Sequence, residues 1–283
     1  MPDQPFRLRD GRSLGWAEYG DPGGQPVFCF INNNSRRFYP FDPSIASALN
    51  LRLLAVERPG IGLSDPKPNR TLLDWPDDIG ELADALKVDR FSVVGVSEGG
   101  PHAAACAFKL RERAAGLSLV SSFAPPDVTA RRNGVVQRIE SLIPWRNDVP
   151  APLPHDTRRQ NSVKAWQNFH QRLPECDKEI VRQFGPRYLK PAFMRDVYDE
   201  LYRQGVEDVI QAETLLTQPW GFEPANIVVP TYLWHGEADT AIPVRASRYL
   251  AKSIPNCRAQ FLPHEGHLLY LKRWREILVE MVA

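Results

Sequence analysis

The sequence predicts an α/β protein: a mostly parallel eight-stranded sheet with helices on both faces and an inserted helical cap. Three observations carry this expectation. Short apolar runs with β-branched or aromatic members alternate with stretches of helical periodicity, both before residue 125 and after residue 226. From about Pro125 to Asn226 the alternation stops, and the segment is rich in Arg, Trp, Phe, Tyr and Pro. Finally, an apolar run passes through Gly95-Val96-Ser97-Glu98-Gly99-Gly100 straight into an Ala-rich helical stretch. The expected division is a core of residues 1–124 and 227–283 and a cap of residues 125–226.

Phe6 to Leu8 and Ser13 to Tyr19 flank the turn pair Asp10-Gly11, and Gly20-Asp21-Pro22-Gly23-Gly24 breaks the chain again, which predicts an antiparallel edge. Val27 to Ile31 and Leu53 to Val56 read as buried parallel strands, with room for a crossover helix around Phe41 to Leu49. Thr71 opens a surface helix to Leu86. Leu72, Leu73, Ile79, Leu82 and Leu86 form its apolar stripe, and Asp77, Asp78, Glu81 and Asp84 take the remaining surface. Phe91 to Val96 is a strand, Gly100 to Arg111 a helix, and Leu117 to Val120 another strand. In the cap, Asn161 to Arg172 and Arg195 to Gln211 are helix-like. The strand and helix rhythm resumes with Ile227 to Trp234, Ala246 to Ser253, Ala259 to Leu262 and a closing amphipathic helix from Leu268 to Val282.

The composition narrows the partners. With 283 residues the chain can bury a large core, and 35 basic against 34 acidic residues leave no global field to gather nucleic acid or an anionic membrane. A small-molecule substrate acted on by a monomer or homodimer is expected. No basic and apolar leader pattern and no apolar run of membrane-spanning length is present, so a soluble, cytoplasmic protein is expected. Cys29, Cys106, Cys176 and Cys257 are far apart, without CxxC spacing, and read as buried reduced thiols. No cofactor is implied. His264 and His267 have the separation of some metal motifs, with Asp239 and His235 elsewhere, but no HExxH helix accompanies them and no metal is expected.

The chemistry centres on Ser97. A strand, a Gly-x-Ser-x-Gly turn and a helix would hold the serine in a sparsely populated backbone conformation that pushes its hydroxyl outward. Side chains two residues before and after would obstruct such a turn. The amides that follow lie at a helix N-terminus, which favours negative charge. The competing reading is a Gly-rich turn with a helix-capping serine. A free serine is a weak nucleophile, so the hypothesis needs a base and a group that orients it. Asp239 follows the apolar strand ending at Trp234, and His267 follows the next strand, 28 residues later. That interval holds one helix and one strand.

Together these motifs resemble the α/β-hydrolase superfamily, in particular its bacterial esterase, lactonase and prolyl-aminopeptidase-like branch. The resemblance rests on Tyr19-Gly20-Asp21-Pro22, on Glu57-Arg58-Pro59-Gly60-Ile61-Gly62-Leu63-Ser64-Asp65, on the elbow, on the Asp239 loop and on Glu265-Gly266-His267. It implies the α/β-hydrolase fold and the chain order Ser, Asp, His, with Asp127 as the reserve acid because some members of the family place the acid after the sixth strand. It also implies that Ser97 attacks, His267 carries the proton and Asp239 holds the imidazole, through an acyl-enzyme. The implied substrate is a small hydrophobic ester, lactone or related acyl compound. A serine nucleophile argues against the haloalkane dehalogenase and epoxide hydrolase branches, which use Asp.

One stretch departs from the family. After the third strand the usual His-Gly is replaced by Ile31-Asn32-Asn33-Asn34. Asn tolerates left-handed backbone better than other non-Gly residues, so the loop shape can survive. The expected oxyanion donors are the backbone N–H of Glu98 and of Asn33, with Asn32 as an alternative through its side-chain amide. Asn34, Arg37, His102, Trp145, Trp166 and Leu268 are the expected substrate contacts, and Arg36 stands beside Arg37. Losing one oxyanion donor costs about 10²- to 10³-fold in rate. The departure therefore keeps open a non-hydrolytic member of the fold, a lyase, cyclase, acyl transferase or ligand-binding protein, and equally a redesigned loop.

Overall fold

Phe6–Arg7 (β1) and Ser13–Leu14 (β2) pair antiparallel across the Asp10-Gly11 turn. Gly15 then directs its N–H to the Ser64 hydroxyl, and Trp16–Gly20 (β3) enters the main sheet. These coordinates come from a computed structural model, which describes residues 5–31, 42–129, 167–168 and 170–282. The main sheet continues with Gln25–Ile31 (β4), Leu51–Val56 (β5), Phe91–Val96 (β6), Ala114–Val120 (β7), Thr231–Gly236 (β8) and Cys257–Leu262 (β9). Its order is β3-β5-β4-β6-β7-β8-β9, with β3 antiparallel to β5 and every other pair parallel. Among the described residues the sheet has seven strands, where eight were expected. The earliest strand residues form the separate hairpin, because the Gly15 to Ser64 bond interrupts the run between β2 and β3.

Strands buried on both faces need apolar residues at successive positions, which is why their sequences read as continuous apolar runs. The pleat sorts these residues. Phe28, Phe30, Leu54, Val93, Leu117, Leu119 and Leu233 share one cluster with Trp75, Ile79 and Leu82 of Trp75–Ala85 (α2), the alanines of Gly99–Lys109 (α3), and Ala246 and Leu250 of Val244–Ser253 (α8). Val27, Cys29, Leu53, Val94, Val96, Val120 and Trp234 share the opposite cluster with Ala46 of Pro43–Ala48 (α1) and with Trp274, Ile277 and Leu278 of Leu269–Val282 (α9). Between β7 and β8 lie Pro126–Thr129 (α4), Glu175–Phe184 (α5), Pro191–Leu201 (α6) and Val206–Leu215 (α7). Ile180, Val181, Met194, Val197 and Leu201 from these helices join the second cluster beside Ile31, Val96 and Leu268.

Three local expectations are revised. Thr71 and Asp74 close a reciprocal cap, but the first turn is 3₁₀ and α2 starts at Trp75. Asp78 is not on the surface: it is 2% exposed and accepts two bonds from the Arg12 guanidinium, at 2.6 and 3.0 Å. A distant partner overrode the helical periodicity there. The stretch Arg195 to Gln211 is two helices: α6 ends at Leu201 and α7 starts at Val206, after Gly205, whose φ of 135° a helix cannot hold. Of the segment Asn161 to Arg172, residues 167–168 and 170–172 are described, and they are helical. The four cysteines are unpaired, with Cys29 and Cys106 buried but Cys176 and Cys257 half-buried. Among the described residues no helix is long and apolar enough to cross a membrane.

Candidate active site

Strand succession reverses at β4, which has β5 on one side and β6 on the other. Open parallel sheets leave a crevice at such a point, beyond the carboxyl ends of the strands. Ile31 at the end of β4 pairs with Val96 at the end of β6, and Ser97 is the next residue. Ser97 has φ 54°, the left-handed backbone expected of a strained turn, and its N–H bonds the Val120 carbonyl of β7 at 2.9 Å. The flanking glycines are steric necessities. A Cβ at Gly95 would come 2.6 Å from the Cα of Gly100, and one at Gly99 would collide with the Phe30 carbonyl.

His267 sits in the loop between β9 and α9, and Asp239 in the loop after β8. The three side chains meet. Ser97 Oγ lies 3.1 Å from His267 Nε2, and His267 Nδ1 lies 2.9 Å from Asp239 Oδ2. The carboxylate can only accept, so Nδ1 carries the proton and donates to Asp239. In the neutral ring Nε2 is then left to accept from the Ser97 hydroxyl. Asp239 Oδ1 accepts from the N–H groups of Ala241 and Ile242, at 2.7 and 2.8 Å, which fixes the carboxylate. The loops that carry Asp239 and His267 are also tied directly, Ala238 N–H to the Glu265 carbonyl at 3.0 Å. Burial by itself lowers the pKa of His267, but the charge and hydrogen bond of Asp239, with Asp177 and Glu98, outweigh it and hold the value above that of a free imidazole.

Glu98 occupies the position before α3, so its backbone N–H stands at the start of that helix next to the nucleophile. Its carboxylate is 3.5 Å from Arg58, and Arg58 also donates to the Glu98 carbonyl at 3.2 Å. His102, expected among the substrate contacts, is 3% exposed, with Nδ1 3.1 Å from the Glu98 carbonyl and its ring edge-on to Trp75. That is a core position. Burial and then Arg58 lower its pKa well below the usual value, so it is neutral. Leu268 is buried in the apolar cluster with Ile31, Val96 and Val120. Asn32, Asn33, Asn34, Arg36, Arg37, Trp145 and Trp166 lie outside the described residues. Asp127, the reserve acid, lies in the short α4, while His264 is exposed.

Two neighbours of Asp239 and His267 have roles that sequence reasoning does not assign. His235, at the end of β8, donates from Nε2 to the Ile242 carbonyl at 3.0 Å and accepts at Nδ1 from Ser247, 2.7 Å away. Its Nε2 is also 3.4 Å from Asp239 Oδ2, and burial lowers its pKa, so it braces the acid loop as a neutral ring. Asp177, at the start of α5, accepts from the backbone N–H groups of His267 and Leu268, each at 2.9 Å. The one sequence signal for it is Gly266 beside the base, a residue that invites close approach.

The family described as alpha/beta hydrolase fold matches residues 28–273. The chain belongs to that family. A curated relative, a serine hydrolase-like protein of Danio rerio, is 28% identical over 180 residues, covering 59% of this chain and 52% of the relative. This chain therefore spans about half the length of that relative. Among solved structures, an esterase from Exiguobacterium antarcticum superposes with a TM-score of 0.73 at 21% identity, over 99% of this chain and 98% of the other. The enol-lactonase from Burkholderia xenovorans superposes with a TM-score of 0.70 at 20% identity, over 96% and 97%. At these identities the likeness speaks for the fold.

Proposed function

We propose that the protein is a serine hydrolase that cleaves a small hydrophobic ester, lactone or related acyl compound through an acyl-enzyme. The observation that carries this is the continuous chain Ser97 Oγ, His267, Asp239, with contacts of 3.1 and 2.9 Å. Ser97 attacks the carbonyl carbon as its proton passes to His267 Nε2, and Asp239 stabilises the imidazolium without taking the proton. His267 then protonates the leaving group and activates water for the second half-reaction. The backbone N–H of Glu98 is one oxyanion donor. Asn33, two residues beyond the Ile31–Val96 pair, is the second, with Asn32 as the alternative. Residues 125–226 act as a lid, and the described part of this insert packs Val181 and Met194 into the same apolar cluster as Ile31, Val96 and Leu268 beside Ser97. The name of the Danio rerio relative agrees with this reading.

A second reading has one observation behind it, the absence of His-Gly after β4, and makes the chain a non-hydrolytic member of its family. Labelling with a fluorophosphonate separates the two. The parent is expected to label at Ser97, and Ser97→Ala to lose both the label and esterase turnover, a drop on the order of 10⁴-fold or more. A folded parent that neither labels nor turns over activated esters overturns the hydrolase reading.

A further inference from the structure

Asp177 is 0% exposed, and it belongs to the insert between β7 and β8 rather than to the sheet that presents the triad. It lies in the first turn of α5, yet its side chain serves another part of the chain. Oδ2 accepts from His267 N–H and Oδ1 from Leu268 N–H, across 90 and 91 residues. Each of these two adjacent buried amides needs an acceptor, and the carboxylate gives each its own oxygen. Gly266 makes the approach possible, since a Cβ there would run into the Asp177 carboxylate. No Lys or Arg among the described residues forms an ion pair with Asp177. A buried carboxylate held only by neutral amides is costly, so its charge calls for a further reason.

The reason lies beside it. We propose that Asp177 is a positioning residue for the reaction, delivered by the inserted helix: it fixes the backbone of His267 and adds a second negative charge that favours the imidazolium formed while Ser97 is attacking. This role rests on the serine-hydrolase reading above. The groups that face His267 are Asp239 from the loop after β8, Asp177 from α5, Glu98 from the elbow and the neutral His235 from β8. Glu98 is already paired with Arg58, whereas Asp177 faces His267 and Asp239; burial first, and the charge of Asp239, raise its pKa, while the two amides and His267 act to lower it. Asp177 is thus the support of the base that an insert, and not the sheet, supplies.

The test is an NMR titration of the His267 imidazole, assigned through its loss in His267→Gln, in the parent, Asp177→Asn and Gly266→Ala. Both variants are expected to lower the imidazole pKa relative to the parent, one by removing the charge and the other by displacing it. Both are expected to reduce kcat about 10- to 100-fold per folded molecule, the scale of a lost charge-assisted hydrogen bond, with little change in KM. A folded Asp177→Asn or Gly266→Ala with an unmoved imidazole pKa overturns the electrostatic role. A lowered pKa with parental kcat overturns the positioning role. The titration needs no turnover, so a parent that fails to label at Ser97 removes the hydrolase reading while the Asp177 to His267 coupling is still measured.

Discussion

The proposed nucleophile and the proposed base are held in opposite ways. Ser97 is presented by a single strand, turn and helix: Gly95 and Gly99 clear the space, Val96 ends the strand, and α3 begins at once. His267 depends on remote parts of the chain, on Asp239 from the loop after β8 and on Asp177 from α5. The comparison teaches that strain can be stored locally, while a proton-transferring ring must be oriented by partners that only tertiary structure assembles. A local turn survives if its few residues are kept. An assembled base fails when any one of its supports is lost.

The sharpest way to break this contrast is Asp239→Asn. The amide can donate to His267 Nδ1, which selects the wrong tautomer and leaves Nε2 protonated, so kcat is expected to fall about 10⁴-fold while Ser97 keeps its backbone geometry. Steady-state kinetics read the loss. A variant that retains a tenth of the parental kcat would show that Asp239 does not orient the ring.

Acid pH applies a milder stress to the same element. His267 must be neutral to accept the serine proton, and its pKa is raised, first against burial and then by Asp239. The acid limb of kcat/KM should therefore centre above the ordinary 6.5, with the rate falling about tenfold per pH unit below it. The linked stability runs the other way. A raised folded pKa means that the contribution of His267 is fully present below the unfolded value near 6.5 and is lost as pH rises through the folded one. Thermal melts across this range, compared with His267→Gln, check the sign; an acid limb centred below 6.5 contradicts the raised pKa.

The smallest expected effect belongs to the brace behind the acid. Ser247→Ala removes the hydroxyl that His235 Nδ1 accepts, leaving a buried acceptor unpaired but Asp239 still held by Ala241 and Ile242. A loss of about 1–3 kcal/mol in stability is expected, with less than about tenfold in kcat. A fall in kcat comparable to that of Asp239→Asn would make His235 as important as the acid itself.

How much of this was legible in the sequence follows the same division. The parallel core, the elbow and the order Ser97, Asp239, His267 were readable because each depends on a short motif placed at the end of an apolar strand. Asp177 was not, since it lies between the two helix-like stretches read in the insert, and the amides it accepts from are 90 and 91 residues away. Asp78 was misread for the same physical reason: periodicity assigned it to water, and Arg12, far off in sequence, drew it inside. His235 carried a signal of the wrong kind, a histidine near an acid, and only the contacts with Ser247 and Ile242 explain it.

The space left at Gly266 has a consequence for anyone who recombines members of this family. Insert and core meet there as lock and key, the acid on one and the missing side chain on the other. A chimera that imported a foreign insert without an acid at position 177 would leave the amides of His267 and Leu268 without their acceptors. A chimera that kept the acid but received a core with a bulkier residue at position 266 would meet a collision. The two positions have to travel together, although 89 residues separate them in the chain.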